Sequence, residues 1–271
     1  GDNRMYTSEF FRGYLSEAGA VSYEYATAEQ TAKAKRLAKT ALGLNPEQLA
    51  ASYSGRLPAE KAGRNRIFTD VNIETMVKAG IQVIIYGNVQ PYAESEAIAR
   101  DLESLAKRLE NANYSGRFIF NRQFHIIQER KLFAATDLRV FDPDRYTGAC
   151  ENSEANAPAC GAIVIAPPYW EGNVQRQGGV INWRTKVGNI VIPQNTRPES
   201  YLSAVLKVNA AFKAGELSVF QSQSIRFSRV ISALLTGAQY LRFWNSAFYG
   251  HKTKAPRPRV NGEVHIEEVS L

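Results

Sequence analysis

The sequence predicts an α/β protein built on a doubly wound parallel sheet. Short apolar runs alternate with single helical segments from about residue 49 to residue 213. These runs are apolar along their whole length, which is typical of strands that are covered on both faces. Parallel neighbours need crossover connections, and the intervening helices supply them. In such a sheet ligands bind at the carboxyl ends of the strands, so each polar loop after a strand is a candidate site.

Turn residues and periodicity locate the elements of the first half. Thr27 fits an N-cap, and Gly80 fits the end of a helix. Apolar residues from Ile98 to Leu109 recur at helical spacings of three and four. The β-branched run IQVIIYGN has the length and content of a buried strand. The predicted elements are helices at 27–42, 69–79 and 94–112 and strands at 49–55 and 81–88.

The same alternation continues through the second half. The predicted strands are 116–120, 138–143, 162–167 and 188–193. The predicted helices are 126–136, 153–161 (interrupted by Pro158), 198–213 and 217–248. This pattern divides the chain into four predicted regions. They are an N-terminal helical segment at 1–50, an α/β domain at 51–215, C-terminal helices at 216–250 and a surface tail at 251–271. The C-terminal helices are expected to pack on the α/β domain or on a further domain.

Composition and charge limit the classes of function. The 271-residue chain has a net charge of +7, which favours phosphorylated or polyanionic ligands. Because the cations are scattered among acidic residues, nucleic acid is not the expected partner; a nucleic-acid binder would lose affinity steeply with salt. No apolar run is long enough for a membrane span and no signal peptide is visible, so we expect a cytoplasmic protein. Cys150 and Cys160 are too few for a zinc site; reduced thiols are expected, with a disulfide left open.

A basic turn follows the first predicted strand. Arg56 and Lys61 lie five residues apart in YSGRLPAEKAGRNR, between a strand and a helix. A guanidinium that binds two oxygens and an ammonium point charge can together neutralise a diphosphate. They would also stabilise the negative charge that develops on a diphosphate leaving group. The alternative is a solvated basic loop.

A second candidate site is RYTGACENSEANAPACG, residues 145–161. It combines a glycine turn with Glu151 and Glu154 at the start of a helix. A helix N-terminus offers unpaired N–H groups to an anion, and a carboxylate beside it can accept hydrogen bonds from ribose hydroxyls. The alternative is that both glutamates only favour the positive end of the helix dipole.

These two features occur in an order that resembles a known family. SGRLPAEKAG is similar to the GRLxxEKG loop of GT-B glycosyltransferases of the glycogen/starch synthase type, and SEANAPACGAIVIA is similar to their LEAMACGTPVIA segment. Between them, GRFIFNRQFHIIQERKLFAATDLRVFDPDRYTG resembles the stretch that ends in the family's YEG. The resemblance covers roughly residues 50–215 and implies the nucleotide-sugar-binding, Rossmann-like half of a GT-B fold.

The resemblance also implies roles for individual residues. Arg56 and Lys61 match the pair that holds the donor diphosphate and supports departure of the leaving group. The implied donor-binding residues are Asn121, Arg122, Thr147, Gly148, Glu151, Asn152, Ser153 and Glu154. Asn121 and Arg122 would contact the base, Asn152 and Ser153 the phosphates, and Glu154 the ribose. The ligand would be a UDP-sugar or ADP-sugar, transferred with retention and without a metal or other cofactor.

Two departures from the family leave two functions open. Thr147 stands where the family has a Glu that contacts the donor sugar. The roughly 50 residues before the basic turn are also too few for the acceptor-binding half, which would bind a saccharide or a protein. The chain is therefore expected to be the donor-binding domain of a retaining glycosyltransferase and a fragment of a larger enzyme. The alternative is a non-catalytic binding or scaffolding module that kept the fold.

Overall fold

A six-stranded parallel sheet forms the centre of the protein. The computed structural model describes residues 3–57, 67–123, 125–140, 152–168 and 179–228, with the backbone alone at 3–7, 24 and 152–155. The strands are β1 (Ala50–Arg56), β2 (Gln82–Asn88), β3 (Arg117–Asn121), β4 (Leu138–Val140), β5 (Ile163–Ile165) and β6 (Ile190–Val191). Their order across the sheet is β3-β2-β1-β4-β5-β6. The predicted α/β class and parallel sheet are confirmed.

Helices cover both faces of this sheet. They are α1 (Asn3–Glu17), α2 (Ala28–Ala41), α3 (Asp70–Lys78), α4 (Ala93–Asn111), α5 (Ile126–Ala135), α6 (Asn152–Ala159), α7 (Pro198–Lys213) and α8 (Leu217–Ser228). Thr27 caps α2 as predicted: its side chain accepts from the amide of Gln30, whose side chain accepts from the amide of Thr27. Within the described ranges, no helix combines the length and apolarity that a membrane crossing requires.

The central position of β1 determines the geometry of the sheet. β1 pairs in parallel with β2 along its whole length, from Ala50 opposite Gln82 to Arg56 opposite Asn88. On its other side β1 pairs with β4, where Ser52 lies opposite Arg139. The chain therefore builds outward from β1 in one direction, returns through α5, and then builds outward in the other direction.

Two apolar clusters fill the space between the sheet and its helices. On one face Ile98, Leu102 and Leu105 of α4 pack with residues of β1, β2 and α3. On the other face Phe11 and Leu15 of α1 pack with residues of α2, α5 and α6. Fully burying one such side chain contributes about 1.5–3 kcal/mol. These two clusters explain why the strands are apolar on both sides.

Helix α1 lies within the N-terminal helical segment predicted at 1–50, but the sequence pattern does not give its bounds. Its buried residues Phe11 and Leu15 are four apart, but Ser, Thr and Gly residues interrupt the apolar stripe around them. The helix is stable because α2, α5 and α6 cover it. In the second half, β4 is described only as Leu138–Val140, and the helix predicted at 217–248 is described only as Leu217–Ser228.

A buried polar cluster attaches α2 to the sheet. The Lys39 ammonium forms an ion pair with the Asp137 carboxylate, and both side chains are 1% exposed. Asp137 also accepts from the Ala50 amide at 2.9 Å and from Nε2 of Gln221 at 3.0 Å. The ammonium of Lys35 donates to the carbonyls of Ala134 and Thr136 at the end of α5. These contacts satisfy charges that would otherwise be costly to bury.

Candidate functional site

The strand order reverses between β1 and β4. The connection after β1 leads to β2 and then β3 on one side of the sheet, whereas the connection after β4 leads to β5 and β6 on the other side. The carboxyl ends of β1 and β4 are therefore neighbours, and the segments that follow them run to opposite sides of the sheet. In open α/β sheets ligands bind in the crevice at this topological switch point. Arg56 is the last residue of β1, and α6 is the helix between β4 and β5.

The backbone around Arg56 is held in a defined conformation. The Tyr53 hydroxyl donates to the Arg56 carbonyl at 2.6 Å, so a side-chain hydrogen bond holds the last residue of β1. Gly55 lies between these two residues with φ of +151°, and a Cβ there would come 3.0 Å from the Tyr53 hydroxyl oxygen. The Arg56 side chain is exposed. Pairing with β2 and this hydrogen bond thus hold the backbone of Arg56, while its side chain is open to solvent at the carboxyl edge.

Ser54 is held from two directions. Its carbonyl accepts a hydrogen bond from a guanidinium nitrogen of Arg139, on β4, at 2.7 Å. Its hydroxyl donates to Oε1 of Glu129 in the first turn of α5. Arg139 is 1% exposed, and its Cζ lies 5.0 Å from the Phe133 ring centroid and 5.5 Å from that of Tyr53. A buried guanidinium thus lies against the carboxyl end of β1 on the side facing β4.

The first turn of α6 lies at the same edge of the sheet by topology. Asn152, Ser153 and Glu154 are its first three residues. The first four N–H groups of a helix have no partner within the helix, and they favour an anion together with the helix dipole. Because α6 follows β4, the neighbour of β1, the topology brings this turn and Arg56 to the same edge of the sheet. Lys61, Thr147, Gly148 and Glu151 lie outside the described residues.

Asn121 and Arg122 lie farther from the switch point. They follow β3, two strands from β1, which corresponds to about 10 Å at the usual strand spacing. The Asn121 side chain accepts from the Gln123 amide at 2.9 Å. The Arg122 guanidinium pairs with Glu96 at 2.6 Å and with Glu103 at 3.4 Å, and the hydrogen bond to Glu96 is the main cause of its raised pKa. Contact of these residues with a base stays a prediction.

A cavity of about 330 Å³ lies at the opposite edge of the sheet. Residues at the ends of α3 and α7 line it, including Lys78 and Lys213. The Ala79 carbonyl, which follows α3, already accepts from Asn209 at 3.2 Å and from Lys213 at 3.1 Å. Helix C-termini carry the negative end of the dipole, which opposes anion binding. The predicted phosphate site and this cavity are thus on different edges.

Sequence reasoning missed two residues of the crevice. Arg139 lies within the run LRVFDP and Glu129 within a helix, and neither was assigned a role. The available signal was a single charge inside an otherwise apolar strand, since a buried charge requires partners. Among the described residues, no three His, Cys, Asp or Glu side chains come together to form a metal site.

Comparison with known proteins agrees with the architecture. No family model matches the chain, and no curated protein matches it. Among solved structures, it resembles the sucrose-phosphate synthase of Thermosynechococcus elongatus with a TM-score of 0.55 and 17% sequence identity. The match covers 79% of this chain and 49% of that one, so the chain spans about half the length of that structure.

The chain has a glycosyltransferase-like fold. At this level of identity the likeness concerns the fold alone. The parallel sheet and its strand order agree with the Rossmann-like half of a GT-B protein. The sequence resemblance and the structural comparison indicate the same class of fold.

Proposed function

We propose that this chain is the donor-binding domain of a retaining glycosyltransferase and takes a UDP-sugar or an ADP-sugar. The observation that carries the proposal is that Arg56 ends β1 and that α6 follows β4, the neighbour of β1 at the switch point. An exposed guanidinium and the N–H groups at a helix start suit a diphosphate between them. In this proposal Lys61 supplies the second cation.

The same arrangement would assist cleavage of the bond between sugar and diphosphate. As that bond breaks, negative charge grows on the diphosphate oxygens. Arg56 and Lys61 would stabilise this charge, and donors held in place beforehand are more effective than mobile ones. The hydrogen bond from the Tyr53 hydroxyl to the Arg56 carbonyl supports such a role for Arg56. No metal is needed in this scheme, so we expect chelators to leave donor binding unchanged.

An acceptor would bind on a second domain facing the same edge. Helices that follow a strand begin at its carboxyl end, and the starts of three such helices carry exposed apolar side chains. These are Val71, Tyr92, Ile126 and Ile127, which are 72%, 44%, 50% and 45% exposed. Apolar side chains around a crevice are typical of surfaces that contact a partner. We propose that this partner is an acceptor-binding domain for a saccharide or a protein.

Isothermal titration calorimetry with ADP and UDP tests the proposal. We expect at least one of them to bind the chain in the micromolar range. Arg56→Ala and Lys61→Ala should each lower the affinity roughly 10- to 100-fold, because each removes a charge-assisted hydrogen bond. Arg100→Ala is the matched control: it removes one exposed cation from α4 and should leave the affinity unchanged. Absence of binding to both nucleotides would refute the proposal.

The second candidate function is a non-catalytic binding or scaffolding module. Thr147 favours it, because a hydroxyl replaces the carboxylate that the family uses at the donor sugar. Hydrolysis of the donor separates the two candidates. Slow release of free sugar at saturating nucleotide sugar supports the enzyme, whereas nucleotide binding without any release supports the module. Thr147→Glu should then raise the rate of release if the sugar pocket is otherwise intact.

A further inference from the structure

We propose that Arg139 is a positioning residue of the donor site, an inference that rests on the proposed function. From β4 its guanidinium donates to the Ser54 carbonyl at 2.7 Å, two residues before Arg56. Because Arg139 is 1% exposed, it acts from beneath the crevice and through the backbone of β1. Its role is to fix the direction in which the Arg56 side chain leaves the sheet.

The first argument is the place of Arg139 in the sheet. Its neighbours Leu138 and Val140 pack in the apolar cluster on one face, so the Arg139 side chain belongs to the other face. There its Cζ lies 5.0 Å from the Phe133 ring centroid. A strand at this depth ordinarily carries an apolar residue, because a buried guanidinium needs hydrogen-bond partners. The bond to Ser54 is one that an apolar residue could not make.

The second argument is that three contacts converge on the last residues of β1. The Ser54 carbonyl is held by Arg139, and the Ser54 hydroxyl by Glu129. The Arg56 carbonyl is held by Tyr53, whose ring also faces Arg139, at 5.5 Å between Cζ and the ring centroid. The Arg139 guanidinium therefore has two contacts near Gly55. It binds the Ser54 carbonyl, and it lies beside the Tyr53 ring, whose hydroxyl binds the Arg56 carbonyl. Loss of Arg139 would loosen the last residues of β1 on both sides of Gly55.

Nucleotide affinity of Arg139 variants tests this role. Arg139→Met keeps the length of the side chain but removes the donor, and we expect at least a tenfold loss of ADP or UDP affinity. Arg139→Lys keeps the buried charge and one donor, so it should fold where the Met variant does not and lose three- to tenfold. Leu109→Ala, a buried substitution near the end of α4, is the control for lost stability without lost affinity.

A double-substitution cycle with Arg56 distinguishes positioning from a merely structural effect. If Arg139 acts through Arg56, then Arg139→Met or Arg139→Lys in an Arg56→Ala background should lower the affinity less than twofold further. Additive losses, or unchanged affinity in both Arg139 variants, would overturn the inference. If the unchanged chain binds neither nucleotide, the proposed function fails and this inference with it. If that chain binds and the Arg139 variants bind equally well, only this inference fails.

Discussion

Lys39 and Asp137 form an ion pair that is buried on all sides, with each side chain 1% exposed. Lys39 lies in the last turn of α2, and Asp137 lies immediately before β4. The pair therefore joins a helix that precedes the sheet to the strand next to its centre. It also places a full negative charge beside the start of β1, whose first amide donates to the same carboxylate.

We expect Lys39→Met to destabilise the fold by about 3–5 kcal/mol, because it leaves the Asp137 carboxylate buried without its counter-charge. Urea unfolding measures this change. Lys78→Met is the matched control, since Lys78 pairs with Glu74 at the surface and its side chain is 52% exposed. Exposed pairs contribute about 0–1 kcal/mol. Equal losses in the two variants would contradict the assignment of Asp137 as a buried charge.

Lys35 predicts a specific dependence of stability on pH. Burial lowers the pKa of Lys35 from 10.5 to about 8, with the Asp137 carboxylate opposing this and Lys39 adding to it. Between these two pH values the unfolded chain holds a proton that the folded chain has released. The contribution of Lys35 to stability therefore rises with pH across this window, by about 2–3 kcal/mol.

Urea unfolding at pH 7.5 and pH 10 checks this dependence. Other groups also affect stability in this range, including Cys160, whose thiol has an ordinary pKa of 9.0 in the unfolded chain and a pKa that burial raises to about 12 in the fold. The relevant quantity is thus the difference in unfolding free energy between the unchanged chain and Lys35→Met. We expect that difference to move in favour of the unchanged chain as the pH rises. A difference that is the same at both pH values would show that Lys35 keeps its ordinary pKa.

Gly116 and Gly13 should respond to alanine in opposite directions. At Gly116 a Cβ would come 2.4 Å from the Ile81 carbonyl oxygen and 2.5 Å from that of Val77. Neither backbone atom can move away easily, so we expect Gly116→Ala to destabilise the fold by about 2 kcal/mol or more. At Gly13, inside α1, nothing lies within 4 Å, and alanine should stabilise by about 0.5–1 kcal/mol. Thermal unfolding of both variants measures the two signs.

The sequence was most informative about the sheet. IQVIIYGN and AIVIAP are apolar on both sides, and this property depends only on burial between two layers of helices. The position of Arg56 at the end of a strand follows from the same alternation, whereas the strand order came from the structure alone. The bounds of α1 within the predicted helical segment 1–50 were not given, because this helix is stabilised by α2, α5 and α6 and not by its own apolar pattern.

The buried polar contacts could not be predicted from local sequence patterns, because their partners are far apart in the chain. Lys35 contacts carbonyls 99 and 101 residues away, and Arg139 contacts the Ser54 carbonyl 85 residues away. On a helix such as TAEQTAKAKRLAKTAL, Lys35 and Lys39 have the spacing of an ordinary solvated face. Only the three-dimensional structure shows that residues 134–137 cover the face of α2 that carries Lys35 and Lys39. The sequence could therefore suggest which exposed cation meets a ligand, but not which buried cation supports it.

The lysine contacts of α2 also affect the order in which the chain can acquire structure. Lys39 donates to the nearby Gln48 carbonyl, but Lys35 and Lys39 also have partners at residues 134–137, about a hundred residues later in the chain. Gln221, which donates to the same Asp137 carboxylate, comes later still. Until these residues are present, the sheet surface that covers the two lysines is incomplete. Such distant pairings slow folding, since the intervening loop must close before its contacts form. We therefore expect the N-terminal helices to pack on the sheet late in folding. They would do so after the strands have formed, although they precede those strands in the sequence.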